Sequence, residues 1–132
     1  MFLLEHDRLV ENGYKIENAK ITNVSLNMRN HGCLTLDLTL EGSGWGCVYG
    51  GYCLGKGYLG ADEFVGSARG EQAIMEIMNT IGVEDLNECK GKYVRVATKG
   101  WGSSIKIIGN IIKDKWFDYE TFFADAAPKE EL

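Results

Sequence analysis

Cys33-Leu34-Thr35-Leu36-Asp37-Leu38-Thr39-Leu40 alternates leucine with small or polar residues along its whole length. A period of two marks an extended strand with one face buried, because successive side chains leave a pleated backbone on opposite sides. The four leucines share a face, so an antiparallel strand lying on a core is expected. The chain then runs through Gly42-Ser43-Gly44-Trp45-Gly46-Cys47-Val48-Tyr49-Gly50-Gly51-Tyr52, which is expected to fold back as the hairpin partner. Glycine in an extended segment packs nothing and loses much freedom on ordering. Sequences accept that cost where a ligand, a subunit or another backbone comes close. The interleaved Trp45, Tyr49 and Tyr52 would line such a gap with flat amphipathic surface. Two readings stand: a recognition surface, or a bent strand whose aromatics fill a core.

Outward from this hairpin, residues 14–24 read as a first strand, with Ile16, Ala19 and Ile21 apolar among charged neighbours. Asn27-Met28-Arg29-Asn30-His31-Gly32 is rich in turn formers. Residues 55–66 read as a loop with acids at Asp62 and Glu63. Across 67–81, Ala73, Ile74, Ile77, Met78 and Ile81 recur at helical spacing and make one apolar stripe, and Gly82 is a helix stop. Residues 84–88 suggest a single turn. Strands are expected at 92–98 and 103–112, joined by Lys99-Gly100-Trp101-Gly102. Asp118 is placed to cap a last helix over 119–126, whose Phe122 and Phe123 need apolar cover. The order of elements predicts an α+β fold: a mostly antiparallel β-sheet with one main amphipathic helix and a short C-terminal helix. One domain is expected over 1–132, with an N-terminal arm (1–13), an α+β core (14–126) and an acidic tail (127–132).

At 132 residues, 45% hydrophobic and 25% charged, the composition is that of an ordinary folded domain. Nineteen acids against 14 Lys and Arg give a net charge of -5, which argues against binding duplex nucleic acid. A small anion needs only a local basic pocket. Met1-Phe2-Leu3-Leu4 is interrupted at once by charge, so neither a signal peptide nor a membrane span is expected, and the cytoplasm is the expected location. Cys33, Cys47, Cys53 and Cys89 show neither a Cys-x-x-Cys pair nor zinc-type spacing with His6 or His31. They read as reduced, buried thiols, with a metal or a disulfide as the alternative.

Catalytic constellations find little support. Gly-x-Ser-x-Gly, the phosphate-loop lysine motif and His-Glu-x-x-His are all missing from the sequence. No helix follows the glycines of 44–51 directly, so they do not match a dinucleotide fingerprint. His31 beside Arg29 reads as a turn residue, and Asp62-Glu63 as solvated acids. Neither a catalytic group, a metal nor a cofactor is expected. Binding chemistry is better represented. Arg69 falls in the first turn of the main helix, where dipole logic disfavours a cation unless an anion shares the site. Arg95, Lys99 and Lys106 fall near strand ends, and Trp101 repeats the Gly-aromatic theme of Trp45. Stacking a purine on an aromatic ring is worth roughly 1–3 kcal/mol, and Arg grips phosphate bidentately.

Several blocks carry a family likeness: Lys15-Ile16-Glu17-Asn18-Ala19-Lys20-Ile21, His31-Gly32-Cys33-Leu34-Thr35, Gly42-Ser43-Gly44-Trp45-Gly46 with Gly50-Gly51-Tyr52, Leu86 with Lys90-Gly91-Lys92-Tyr93-Val94-Arg95-Val96, and Ile108-Gly109-Asn110-Ile111-Ile112-Lys113-Asp114-Lys115-Trp116-Phe117. In order and spacing they resemble the first-described Thoeris anti-defence family, over roughly residues 15–123. The resemblance implies a non-catalytic phage protein in the infected bacterial cytoplasm, a sponge for the cyclic ADP-ribose isomers made by TIR-domain proteins. It also implies a dimer or hexamer, uptake of cyclic oligonucleotides by some members, and a pocket at a subunit boundary with aromatic and Arg side chains around adenine and pyrophosphate. Among the candidate ligand-binding residues, Trp45, Tyr52 and Arg95 lie inside the matching blocks. Arg69, Lys99, Trp101 and Lys106 rest on chemistry and position alone. The alternative function is a protein-binding inhibitor of a host defence nuclease, comparable to an anti-CRISPR, for which the charge balance offers weak mimicry of nucleic acid.

Overall fold

The computed structural model describes residues 4–57, 60, 62–100 and 102–130, with side chains of the last helix described to residue 124. In chain order the elements are α1 (His6–Glu11), β1 (Lys15–Asn30), β2 (Cys33–Gly42), β3 (Trp45–Tyr49), β4 (Gly55–Lys56), β5 (Val65–Gly66), α2 (Ala68–Ile81), a 3-10 turn at Leu86–Cys89, β6 (Tyr93–Thr98), β7 (Ile107–Gly109), β8 (Trp116–Asp118) and α3 (Tyr119–Glu130). Every strand pairing is antiparallel, in the order β5-β4-β2-β1-β6-β7-β8, with β3 added beside β2. The expected α+β fold is the one observed.

The leucines of β2 do what their period predicts. Leu36, Leu38 and Leu40 are fully buried, among Ala19 and Ile21 of β1, Val94 and Val96 of β6 and Ile108 of β7. Helix α2 covers them with Ala73, Ile77 and Ile81. Ser67 caps α2 by accepting from the Gly70 N–H at 3.0 Å, and Gly82 ends it in the left-handed conformation at φ 91°. Gly70 has a steric reason: a Cβ there would run into the Leu54 carbonyl, so α2 lies directly against the chain that follows β3. Asp118 caps α3 as expected, accepting from the Thr121 N–H at 3.1 Å.

Several boundaries differ from expectation for visible reasons. β1 continues to Asn30, and the expected turn contracts to His31-Gly32, with His31 at φ 52°. Its turn-forming polar residues are satisfied along the strand instead, Asn27 and Arg29 both donating to the Ser25 hydroxyl. The strand expected over 103–112 narrows to β7, because the Asn110 side chain accepts the N–H groups of Ile112 and Lys113 and turns the chain. β8 then returns beside β7, and a two-residue pairing of β4 with β5 lies within the stretch read as loop. The described residues of the N-terminal arm are tied down: α1 buries Leu9 completely in a second cluster with Ala97, Ile107 and Trp116. Asp114 stands in for the missing cap, accepting from the His6 N–H at 2.8 Å. α3 runs past 126 to Glu130, into the expected tail, while 131–132 lie outside the described residues.

The cysteine reading needs a correction. Cys33 and Cys53 form a disulfide with Cα atoms 5.1 Å apart, brought together because the chain returns along the start of β2, where the Leu54 N–H donates to Leu34 O at 2.7 Å. Cys89 is a buried thiol as expected and Cys47 a half-buried one, and burial pushes both thiols above their ordinary range.

Candidate functional site

β1 serves two partners in turn. Residues 15–20 pair with β6, and from Lys20 onward the strand pairs with β2. Before Lys20 β1 pairs with β6 and not with β2, and there a cavity of about 590 Å³ opens between the β2–β3 hairpin on one side and the first residues of β1, the end of β6, Gly100 and residues 102–106 on the other. The volume is in the range of small-molecule sites.

Three aromatic side chains shape it. The half-buried Trp45 indole donates to Glu17 Oε1 at 3.3 Å, and a Cβ on Gly42 would collide with its ring. Tyr49 is fully buried, and its hydroxyl proton is shared between the carbonyls of Lys106 (3.0 Å) and Phe117 (3.3 Å), tying β3 across to the β7–β8 side. Tyr52 stacks on Tyr119 with ring centres 4.4 Å apart and continues onto Phe123 at 5.6 Å. Burial holds both cavity phenols above their usual range, Tyr49 most strongly and Tyr52 with a further push from Asp118, so both remain neutral donors at physiological pH. Lys15 and Lys106 bring positive charge, Glu17 a carboxylate, and Ser43, Ser103 and Ser104 hydroxyls. Lys106 is ion-paired with Glu120. The cavity can therefore stack a flat ring, donate to and accept from sugar hydroxyls, and meet an anion with two ammonium groups.

Of the residues singled out in the sequence, Trp45, Tyr52 and Lys106 line this cavity together. Trp101 lies outside the described residues, although Gly100 and Gly102 on either side of it line the cavity. Lys99 faces a neighbouring polar cavity of about 430 Å³ that shares Ser103, Ser104 and Lys106. Its ammonium lies 4.4 Å from the centre of the Tyr14 ring and donates to Asn12 O at 2.6 Å. The two arginines are placed elsewhere. Arg69 lies 3.9 Å over the Phe122 ring and donates to Phe122 O at 3.2 Å, so the last helix takes up the cation at the start of α2. Arg95 lies 4.7 Å over the Trp116 ring and donates at 2.8 Å to the carbonyls of Asn110 and of Lys113, holding the β7–β8 turn.

Sequence reading passed over Lys15, Glu17, Ser103 and Ser104. Lys15 and Glu17 stand two apart in a strand and share a face, a detectable signal, but charged strand residues usually mean a solvated face. Asp62, Glu63 and His31 are exposed, and among the described residues no group of three or more His, Cys, Asp or Glu is arranged to hold a metal ion. No helix among the described residues is long and apolar enough to cross a membrane. Compared with protein-family models, curated proteins and solved structures, the chain finds no match.

Proposed function

We propose that this protein binds and sequesters a cyclic nucleotide signal without turning it over. The ligand class is the cyclic ADP-ribose isomers, with cyclic oligonucleotides as further candidates. The observation that carries the reading is the convergence of the Gly-aromatic hairpin and the 98–106 region on one cavity, with Trp45, Tyr52 and Lys106 in its wall. Adenine would stack on Trp45 or Tyr52, ribose hydroxyls would meet Glu17 and the serines, and pyrophosphate would lie toward Lys15 and Lys106. A sponge needs affinity and no reacting group, and the stacking, hydroxyl and ammonium chemistry here serves affinity. The likeness to the Thoeris anti-defence family supports the same ligand class. It extends the proposal to action in the cytoplasm of an infected bacterium, as a closed homo-oligomer, against the effector that the signal would activate.

Thermal-shift titration against cyclic ADP-ribose isomers, cyclic dinucleotides and cyclic trinucleotides tests the reading. A ligand at a thousandfold excess over its dissociation constant stabilises the fold by about 4 kcal/mol. A large shift with one class identifies the ligand; the absence of a shift with all three contradicts sequestration of such signals.

A further inference from the structure

The Cys33–Cys53 bond closes a covalent loop across a sequence separation of 20 residues, and that loop contains the whole of β3 with Trp45, Tyr49 and Tyr52. Cys53 is exposed and Cys33 half-buried, so a thiol in solution reaches the Cys53 sulfur more easily. Backbone bonds flank the pair independently of it: the Leu54 N–H donates to Leu34 O at 2.7 Å, and the Gly57 N–H to Gly32 O at 2.8 Å. Opening the bond would leave the two thiols facing each other. The segment between β3 and Cys53 is less well supported. Apart from the disulfide, Gly51 is held by its N–H bond to Asp37 Oδ1 at 3.0 Å and Tyr52 by its stack on Tyr119.

We propose that Cys33–Cys53 is a site of reversible exchange with low-molecular-weight thiols, and that its redox state sets how firmly residues 50–54 are held at the cavity wall. A disulfide exposed to a reducing compartment is usually of this transient kind. In the first step a thiolate such as glutathione attacks Sγ of Cys53; the S–S bond breaks, Cys33 leaves as a thiolate and takes up a proton, and Cys53 carries a mixed disulfide. A second glutathione thiolate then attacks the glutathione sulfur of that mixed disulfide and releases glutathione disulfide, leaving two protein thiols. Two glutathione molecules are oxidised for each protein disulfide reduced, and glutathione disulfide drives the reverse. The effect on binding rests on the cavity being the ligand site; the exchange itself does not.

Wild-type protein equilibrated in glutathione buffers, then denatured and alkylated, should go from two modifiable thiols in the oxidised buffer to four in the reduced one. Four in both buffers, or two in both, overturns the proposal. In the same samples, amide exchange at Gly51 and Leu54 should be about tenfold faster after reduction, with β1 and β6 unaltered. Equal rates overturn the holding role. Cys33→Ser with Cys53→Ser should reproduce the reduced pattern in oxidising buffer, and Cys47→Ser should retain the wild-type redox response; if the double variant fails to fold, the wild-type comparison decides. With a cyclic ADP-ribose isomer as probe, the oxidised form should bind about tenfold more tightly because less ordering remains to be done. Equal affinity overturns redox control of the cavity. If neither form binds any of the cyclic ADP-ribose isomers, cyclic dinucleotides or cyclic trinucleotides, the sequestration reading and redox control of the cavity both fall, and the thiol counts and amide exchange still decide the tether.

Discussion

Trp45 and Arg95 are an aromatic and a cation of similar promise in the sequence, and the structure gives them different work. Trp45 presents a half-buried ring to the cavity with its N–H engaged by Glu17. Trp45→Ala should weaken ligand uptake by about 5- to 150-fold, the loss of one stack being worth about 1–3 kcal/mol. Calorimetric titration checks this, with circular dichroism confirming the fold. Arg95→Ala should leave affinity unaltered and lower stability by about 2 kcal/mol, because two carbonyls lose a charged donor and Trp116 loses its cover. Denaturant unfolding reads that loss directly. Tyr49→Phe removes the hydroxyl's bonds to the Lys106 and Phe117 carbonyls, of which Lys106 O keeps the Tyr119 N–H, and should cost about 0.5–1.5 kcal/mol. The difference between Trp45 and Arg95 was not legible in the sequence. Arg95 is fixed by carbonyls 15 and 18 residues away, and a motif carries no record of such partners.

The elements that could be read were those with a period. The leucines of β2 and the stripe of α2 are regular enough that burial follows from spacing, and Ser67 and Gly82 mark the helix ends. The short strands β4, β5, β7 and β8 have too few residues for a period to show and exist because neighbours pair with them. α1 was missed for a related reason: its one buried residue, Leu9, finds its partners in β6, β7 and β8, and its cap comes from Asp114. The indole N–H of Trp116 and the backbone N–H of His6 hold the Asp114 carboxyl below the usual carboxylate range. Asp114→Ala should therefore cost about 1 kcal/mol at neutral pH, as the loss of a helix cap does. The folded carboxyl titrates below the unfolded one, so this stability is fully present above an unfolded Asp pKa of about 3.9 and drains away as pH falls through the folded value. Unfolding curves of parent and variant should converge at low pH. Gly70→Ala should cost about 1–3 kcal/mol, since a methyl there forces α2 off the Leu54 carbonyl; a Tm fall without loss of helix content would show it.

The molecule as a whole joins a well-covered core to a site that exists only through folding. Lys15, Glu17, Trp45, Tyr52 and Lys106 come from β1, the hairpin and the β6–β7 connection, and they converge because β1 changes partner at Lys20. The Gly-aromatic hairpin pointed to a recognition surface, but the opposite wall depends on strand register and the hairpin's own closure on the disulfide, neither of which residue spacing alone provides. The function proposed for this site is capture without chemistry. Its most direct test mixes purified protein with a cyclic ADP-ribose isomer, removes free ligand, denatures the complex and identifies what is released. Uptake in fixed proportion to protein and recovery of the intact cyclic compound are expected of this function. Recovery of a cleaved product, or no retained ligand at all, would contradict it.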